Sequence, residues 1–279
     1  MFAIIGIVVV FGAVISGYLL EHGNLKVLLQ PAELVIIAGA SAGTILIANP
    51  PAILKGIVSG FQAVFGSSKF GKGRYVDTLK QLYAVMQKAR RQGLTDLEAD
   101  VENPEKSELF SKWDHHLRAF VCDTLRMAMT GGSTPFDIDQ MMELDMEVHE
   151  HYAQLPVKAL NTVADALPGL GIVAAVLGVV ITMGALGGPP EEIGHKVAAA
   201  LVGTFLGILL CYGFLGPMAS KMGKAAEEEH HYYHVVRVAL SSFLKGSSPS
   251  LAVEFGRRAV PGFVRPTFQE LEQAYRVKA

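Results

Sequence analysis

Three places in the chain combine residue types that could do chemistry. "GSSKFGKG", Gly66–Gly73, follows the G-x-x-x-x-G-K spacing of a phosphate-binding loop. Its last position holds Gly73 where a Ser or Thr hydroxyl would hold magnesium, and it follows a long apolar run, not a buried strand. A flexible basic linker near anionic lipid is the simpler reading. His230 and His234 stand one helical turn apart in "EEEHHYYHVV", a spacing compatible with metal. A solvated histidine-rich helix explains them better, and His115, His116, His149 and His151 suggest no ligand set. Glu33 follows Pro31 at the start of an apolar run, where a carboxylate favours the positive end of a helix dipole. That structural role is preferred over ion binding. No Ser/His/Asp or paired-carboxylate arrangement suggests hydrolysis, so neither an enzyme activity nor a cofactor or metal is expected.

A different kind of pattern is stronger. "DALPGLGIVAAVLGVVITMGALGG", residues 165–188, carries no charge after Asp165 until Glu191. Within it Pro168, Gly171, Ala175, Gly178 and Thr182 recur at steps of 3 and 4, which is one face of a helix. Ala200, Thr204, Gly207 and Cys211 do the same further on, Gly203 and Gly207 form a GxxxG pair, and so do Gly39 and Gly43. Small faces let helix backbones approach closely in lipid. Packing within the chain explains the GxxxG pairs, whereas two parallel stripes on adjacent helices also suit a partner's helix or water. Ion pathways normally display an ionisable residue inside the membrane. Here none lies deep in an apolar run, with Glu33 and Asp165 at the ends. Either the chain conducts nothing or another chain supplies the titrating group.

The elements that position these residues are membrane spans. Of the 279 residues 51% are hydrophobic and 18% charged, and the mean hydropathy is +0.35, a composition that favours a membrane protein. The net charge of −2 gives no reason to expect a nucleic-acid partner, and two cysteines, Cys122 and Cys211, make no disulfide framework. The opening "MFAIIGIVVVFGAVISGYLLEHG" has no basic leader and reads as a retained span. A span needs about 20 apolar residues, which residues 2–20, 34–54, 166–190 and 197–220 provide. Lys55, Lys69, Lys72 and Arg74 follow span two, and Lys221 and Lys224 follow span four. The short loops offer only Lys26 and Lys196, offset by Glu21, Glu33, Glu191 and Glu192. This bias places both termini and the large loop in the cytoplasm.

The region between spans two and three is helical by pattern. Tyr75, Leu79, Leu82, Val85, Met86 and Ala89 share one face of a segment that stops at Gly93. "SELFSKWDHHLRAFVCDTLRMAM" repeats that logic, and "DIDQMMELDMEVHEHYAQL" opens a helix able to run into span three. The expected fold is an all-α membrane protein, four transmembrane helices with a large helical cytoplasmic domain between spans two and three. Its expected parts are residues 1–54 (spans one and two), 55–163 (cytoplasmic domain), 164–220 (spans three and four) and 221–279 (cytoplasmic tail).

"QPAELVIIAGA", "ENPEKSELF", "LPGLGIVAAVLGVV", "VGTFLGILLCYGFLGPMA" and "AVEFGRR…RPTFQELE" resemble, in order and over nearly the whole chain, the flagellar motor stator A subunit family (MotA, proton-coupled type). The resemblance implies a ring of five copies in the bacterial inner membrane around two copies of a B-type stator subunit. The B subunit's single helix would supply the channel aspartate, and the ring would turn against the rotor protein FliG as H+ passes. It implies rotor contact by Arg90, with Arg91 an adjacent candidate, and by Glu98, and coupling roles for Pro168 and Pro217. Thr204 matches the channel-facing threonine, and Ala175 stands where sodium-driven relatives carry threonine. The small face, with Gly171, Gly178, Thr182 and Gly207, would then receive the partner's helix. The related ExbB/TolQ class of proton-driven energisers is the alternative, and its three spans argue against it. A nucleotide-driven transporter component would require Gly66–Gly73 to bind phosphate.

Overall fold

The structure is a computed structural model that describes residues 2–66, 68–184, 187 and 189–276, and every regular element among them is helical. Met1, Ser67 of the Gly66–Gly73 stretch, Ala185, Leu186 and Gly188 of expected span three, and residues 277–279 of the tail lie outside the described residues.

In chain order, α1 spans Phe2–Leu20, α2 Leu25–Leu28, α3 Pro31–Ala48 and α4 Pro51–Val64. α5 (Lys72–Gln92) leads through a 3-10 turn, Leu94–Leu97, into α6 (Glu98–Glu102), and α7 is His115–Thr130. Next come α8 (Pro135–Met183), α9 (Pro190–Leu210), a π turn at Cys211–Leu215, α10 (Gly216–Leu244), α11 (Pro249–Ala259) and α12 (Phe268–Arg276). Four stretches are long and apolar enough to cross a membrane: Phe2–Leu20, Leu25–Ala48, and parts of Pro135–Met183 and Pro190–Leu244.

Prolines set several boundaries. Span two does not run to residue 54 as expected from hydropathy. It begins at Pro31, whose missing N–H costs nothing in a first turn, and ends at Ala48 with Asn49 extended (φ −131°, ψ 138°). Pro50 and Pro51 forbid continuation, and the chain restarts as α4. Span three continues without a break from the polar helix that precedes it, giving one helix of 49 residues that contains Pro156 and Pro168. Pro217 has no N–H to offer the turn before it, and that turn widens: Gly216 N–H donates to Cys211 O across Cys211–Leu215.

The chain forms two compact units, residues Met1–Ser67 with Tyr152–Ala225, and Ser68–His151 with Ala226–Ala279. The first holds the apolar helices and α4. Its core has one cluster around Ile37, Ala164, Leu167, Ala174 and Cys211, and another where Ile57 and Val64 of α4 meet Val157, Leu160, Met218 and Met222. Phe214 of the π turn stands edge-on to both Phe11 (6.5 Å) and Phe61 (6.0 Å), tying α1 and α4 to that turn.

In the second unit, the α5 face Tyr75, Leu79, Leu82, Val85, Met86 and Ala89 is buried, as its periodicity requires, and α5 stops at Gly93 (φ 98°). The segment "SELFSKWDHHLRAFVCDTLRMAM" is helical only from His115. Asp114 caps α7 by accepting from Leu117 N, while Phe110 and Trp113 enter the core from the turns before it. α11 and α12 both lie on α5. Gly256 permits the first contact, because a methyl group there would stand 2.8 Å from Leu79 and 3.0 Å from Ala239. The segment is clasped by charge. Glu254 accepts from Arg257 at 2.7 Å and from Arg258 at 2.8 Å, and Arg257 also donates to Pro266 O. Glu270 meets Lys72 at 2.6 Å and forms a capping box with Thr267.

The two arginines pull the Glu254 carboxyl down to about 2, with hydrogen bonding to Arg257 the largest cause. Because its folded value lies below the unfolded one, Glu254 stabilises the unit above the ordinary carboxylate range, and that contribution is lost as pH falls towards 2. Glu254→Gln is expected to lower the melting temperature of the detergent-solubilised chain at pH 7 and to have progressively less effect below pH 4. An equal loss at pH 7 and at pH 3 would remove the ion-pair account.

Candidate functional site

The two small-residue stripes meet each other. A methyl group added to Gly171 of α8 would lie 2.6 Å from Gly203 O, 3.2 Å from Gly207 Cα and 3.3 Å from Thr204 Cα. One added to Gly207 would lie 2.5 Å from Leu167 O and 3.0 Å from Gly171 Cα. α8 and α9 therefore touch backbone to backbone along Leu167–Gly171 and Gly203–Gly207. Gly171 and Gly207 are committed to this contact, so a partner's helix cannot occupy the same surface of either residue. Gly178 is committed too, since a methyl group there would stand 2.7 Å from Ala200 Cβ. The pair in span two behaves differently. Gly39 and Gly43, expected to pack within the chain, have nothing within 4 Å of where a methyl group would be.

A carboxylate sits in the same helix contact. Glu33 is 7% exposed. The spot a Gly203 methyl would fill lies 2.6 Å from Glu33 Oε2, and the corresponding spot at Gly178 lies 3.3 Å from Glu33 Oε1. Glu33 is the third residue of α3, where a glutamate can fold back to bond the turn before the helix. It does not: Gln30 supplies no cap, and Oε2 is buried without a hydrogen-bond partner. Glu33 stands in the first turn of α3, as expected, and the structure adds that its side chain is buried. Its backbone is at the end, but its side chain is long enough to carry the charge in between α8 and α9. The signal in the sequence was the glycine at 203, which leaves room for it.

The remaining stripe residues divide. Thr182 is fully buried and donates to Gly178 O at 2.8 Å. Ala175 is half-buried, with its backbone N 3.2 Å from the Gly203 methyl spot that Glu33 also borders. Thr204 is half-buried, and its hydroxyl bonds to none of the described residues, so it is unspent. Pro168 is half-buried next to the Leu167 carbonyl that faces Gly207, and Pro217 is exposed just past the π turn.

Arg90, Arg91 and Glu98 lie in the other unit, on either side of the Gly93 turn, and all three are exposed. None makes an ion pair with a described residue. Their neighbours do: Lys88 holds Asp100 at 2.7 Å and Asp96 at 3.5 Å. The turn is thus fixed by one set of charges and presents another. His230 is 3.2 Å from Glu150, and His149 faces Glu229 at 3.5 Å, which pulls its pKa up through their attraction. His234 lines a separate cavity beside Arg237. At the described part of Gly66–Gly73, Lys69 and Gly73 border a cavity of about 1040 Å³ shared with Arg74, Asp77, Glu108 and Asp114. The mixed charge of that lining is not that of a phosphate cradle.

Comparison with known proteins agrees with this arrangement over the whole chain. The family model described as motility protein A N-terminal matches residues 4–93, and that of the MotA/TolQ/ExbB proton channel family matches residues 112–234. Motility protein A of Escherichia coli (strain K12) is 42% identical over 281 residues, covering 99% of this chain and 95% of that protein. The chain belongs to the motility protein A (MotA) family. Chemotaxis protein LafT of Vibrio parahaemolyticus is 34% identical, with 96% of each chain covered. The flagellar MotAB stator complex from Bacillus subtilis superimposes with a TM-score of 0.75 at 25% identity, covering 98% of both chains. The C. jejuni MotAB structure shares the fold, with a TM-score of 0.79 at 20% identity, covering 95% of this chain and 98% of that one. This MotA-family chain therefore has the fold of known stator structures, and its two small-faced helices fall within the proton channel match.

Backbone contact this close has no slack for a methyl group. Gly171→Ala and Gly207→Ala must each separate α8 from α9, at a cost of about 1–3 kcal/mol for overpacking. Both are expected to lower the unfolding temperature of the detergent-solubilised protein, and Gly39→Ala, which meets open space within the chain, is not. Equal melting temperatures for Gly171→Ala and Gly39→Ala would contradict the contact.

Proposed function

We propose that this chain is the A subunit of a bacterial flagellar stator, a proton-conducting and torque-generating membrane protein and not an enzyme. The observation that carries this reading is its 42% identity to a motility protein A over 99% of the chain. In the proposed assembly five copies surround two B-type subunits in the inner membrane, with both termini and the polar helical unit in the cytoplasm. The B helix brings the aspartate that binds the ion. Spans three and four support that division, since their apolar segments carry no Asp, Glu, His, Lys or Arg between Asp165 and Glu191 or between Lys196 and Lys221. The unspent hydroxyl of Thr204 suits a water-lined passage beside the partner's helix. Ala175 offers no hydroxyl to replace a sodium ion's hydration shell, which favours H+ as the transported ion. Pro168 and Pro217, each lacking a backbone donor, are the residues we assign to coupling ion passage to movement.

The match to the MotA/TolQ/ExbB proton channel family also covers outer-membrane energisers. The four apolar spans and the clasped C-terminal segment around Glu254 favour the flagellar reading. Native mass measurement of the chain purified with its B subunit is expected to give five copies to two. Motility of a strain relying on this stator should survive sodium removal and collapse with a protonophore. A stable dimer or tetramer of this chain, or sodium-dependent swimming, would overturn the respective claim.

Arg90 and Glu98 are assigned to contact with the rotor protein FliG. Exposed charges that pair with none of the described residues contribute little to stability, whereas like charges placed across an interface are strongly unfavourable. Arg90→Glu is therefore expected to express and assemble normally and to drive rotation poorly, with partial rescue by a compensating charge reversal on the rotor. Loss of assembly in Arg90→Glu, or absence of any rescue, would make Arg90 structural instead.

A further inference from the structure

The Glu33 carboxylate does not behave as a helix cap or as half of an ion pair. Its Oε2 is buried without a partner, and the residue is 7% exposed. Burial of a lone ionised carboxylate in an apolar layer is strongly unfavourable unless a counter-charge or a proton compensates. No described residue pairs a counter-charge with it. On α9 the charged and titratable groups Glu191, Glu192, His195 and Lys196 stand in the first turns, and Lys196 is held by Glu192 at 2.9 Å. On α2 there is Lys26, whose ammonium pairs with no described residue. On α8 no ionisable residue lies between Asp165 and Met183, and α3 has none besides Glu33 itself. Gly203 is seven residues beyond Lys196, roughly 10 Å further along the helix, so the carboxyl lies inside the apolar layer and beyond the charged first turns.

The space around it is built for the carboxyl group. Gly203 leaves a notch that any Cβ would close to 2.6 Å from Oε2, Gly178 does the same for Oε1 at 3.3 Å, and Ala175 N borders the first of these spots at 3.2 Å. The notch thus reaches the same stretch of α8 that carries the half-buried Ala175.

We propose that Glu33 is a proton-binding residue of this chain: seated between Gly178 and Gly203, its carboxyl group takes up a proton and passes it on along the route that the complex uses. The proposal rests on the stator reading above and adds to it a proton site on the A subunit itself. Uptake of a proton turns the uncompensated carboxylate into a neutral carboxylic acid, which needs no counter-charge. The site stands on the loop side of the spans, near residues 21–30 and 189–196, so its proton is exchanged with that side of the membrane.

Two measurements on the complex with its B subunit test this. In proteoliposomes with a pH-sensitive dye inside, Glu33→Gln is expected to assemble with unchanged stoichiometry and to pass protons severalfold more slowly, with Glu33→Asp in between. On the unmutated complex, dicyclohexylcarbodiimide, which reacts with protonated carboxyl groups in apolar surroundings, is expected to label the peptide containing Glu33, less so as pH rises. Unchanged flux in an assembled Glu33→Gln complex overturns the proposal. So does absence of labelling at Glu33 across the pH range, which decides the matter even if the glutamine variant fails to assemble. An unmutated complex that passes no protons would instead overturn the stator reading, and labelling would still report whether Glu33 holds a proton.

Discussion

The backbones of α8 and α9 meet at Gly171, Gly203 and Gly207 with no side chain between them. In lipid there is no hydrophobic force to press two helices together, so close van der Waals contact has to supply the attraction. That requirement explains why an apolar helix is so rich in glycine and alanine. It also fixes the height of α8 against α9, since a shift of one residue would put Leu170 or Ile172 of α8, or Val202 or Thr204 of α9, where only hydrogen fits. With the pair locked, α3 can lay Glu33 into the gap beside Gly178 and Gly203, and Ile37 one turn on can pack with Ala164, Leu167, Ala174 and Cys211.

Charge is arranged on the opposite principle in the polar unit. Side chains that hold the unit together are satisfied in pairs or small networks: Glu254 with Arg257 and Arg258, Glu270 with Lys72, Lys88 with Asp96 and Asp100. Arg90, Arg91 and Glu98 are left out of these networks although they flank the same turn. A turn pinned by its own ion pairs can present free charges in a constant geometry, which a flexible loop could not do. The contrast between paired and unpaired charges distinguishes structural residues from candidate contact residues more sharply than their exposure does.

Much of this was legible in the sequence, because the responsible signals are local. Uncharged runs of span length, a 3.6-residue period on α5, and Gly93 after it are properties of neighbouring residues, and so they marked the spans and the polar helices. The end of span two was misplaced because hydropathy does not register that Pro50 and Pro51 lack backbone donors. The stripes on α8 and α9 were visible, yet a small face alone does not say what it faces. Gly39–Gly43 has the same spacing as Gly203–Gly207, and one lies open within the chain while the other is spent. The burial of the Glu33 side chain was missed for a similar reason. Its place in the sequence fixes its Cα at a helix end, but where its carboxyl group goes depends on a glycine 170 residues away.

The prolines connect the rigid contact to possible movement. Leu167, whose carbonyl faces Gly207 at the tightest point of the helix pair, immediately precedes Pro168. Cys211, the last small residue of the α9 stripe, opens the π turn that Pro217 imposes. Each proline removes one ladder hydrogen bond where bending is easiest, and each lies at the same end of the glycine contact. A change of bend at Pro168 would therefore shift Leu167 against Gly207, and a change at the π turn would act on α9 through Cys211. Because the glycine contact has no soft side chains to absorb the displacement, it would be passed along both helices towards Gly178, Gly203 and the Glu33 carboxyl. The same stiffness runs in reverse, so that gain or loss of charge in the notch would be felt at the prolines.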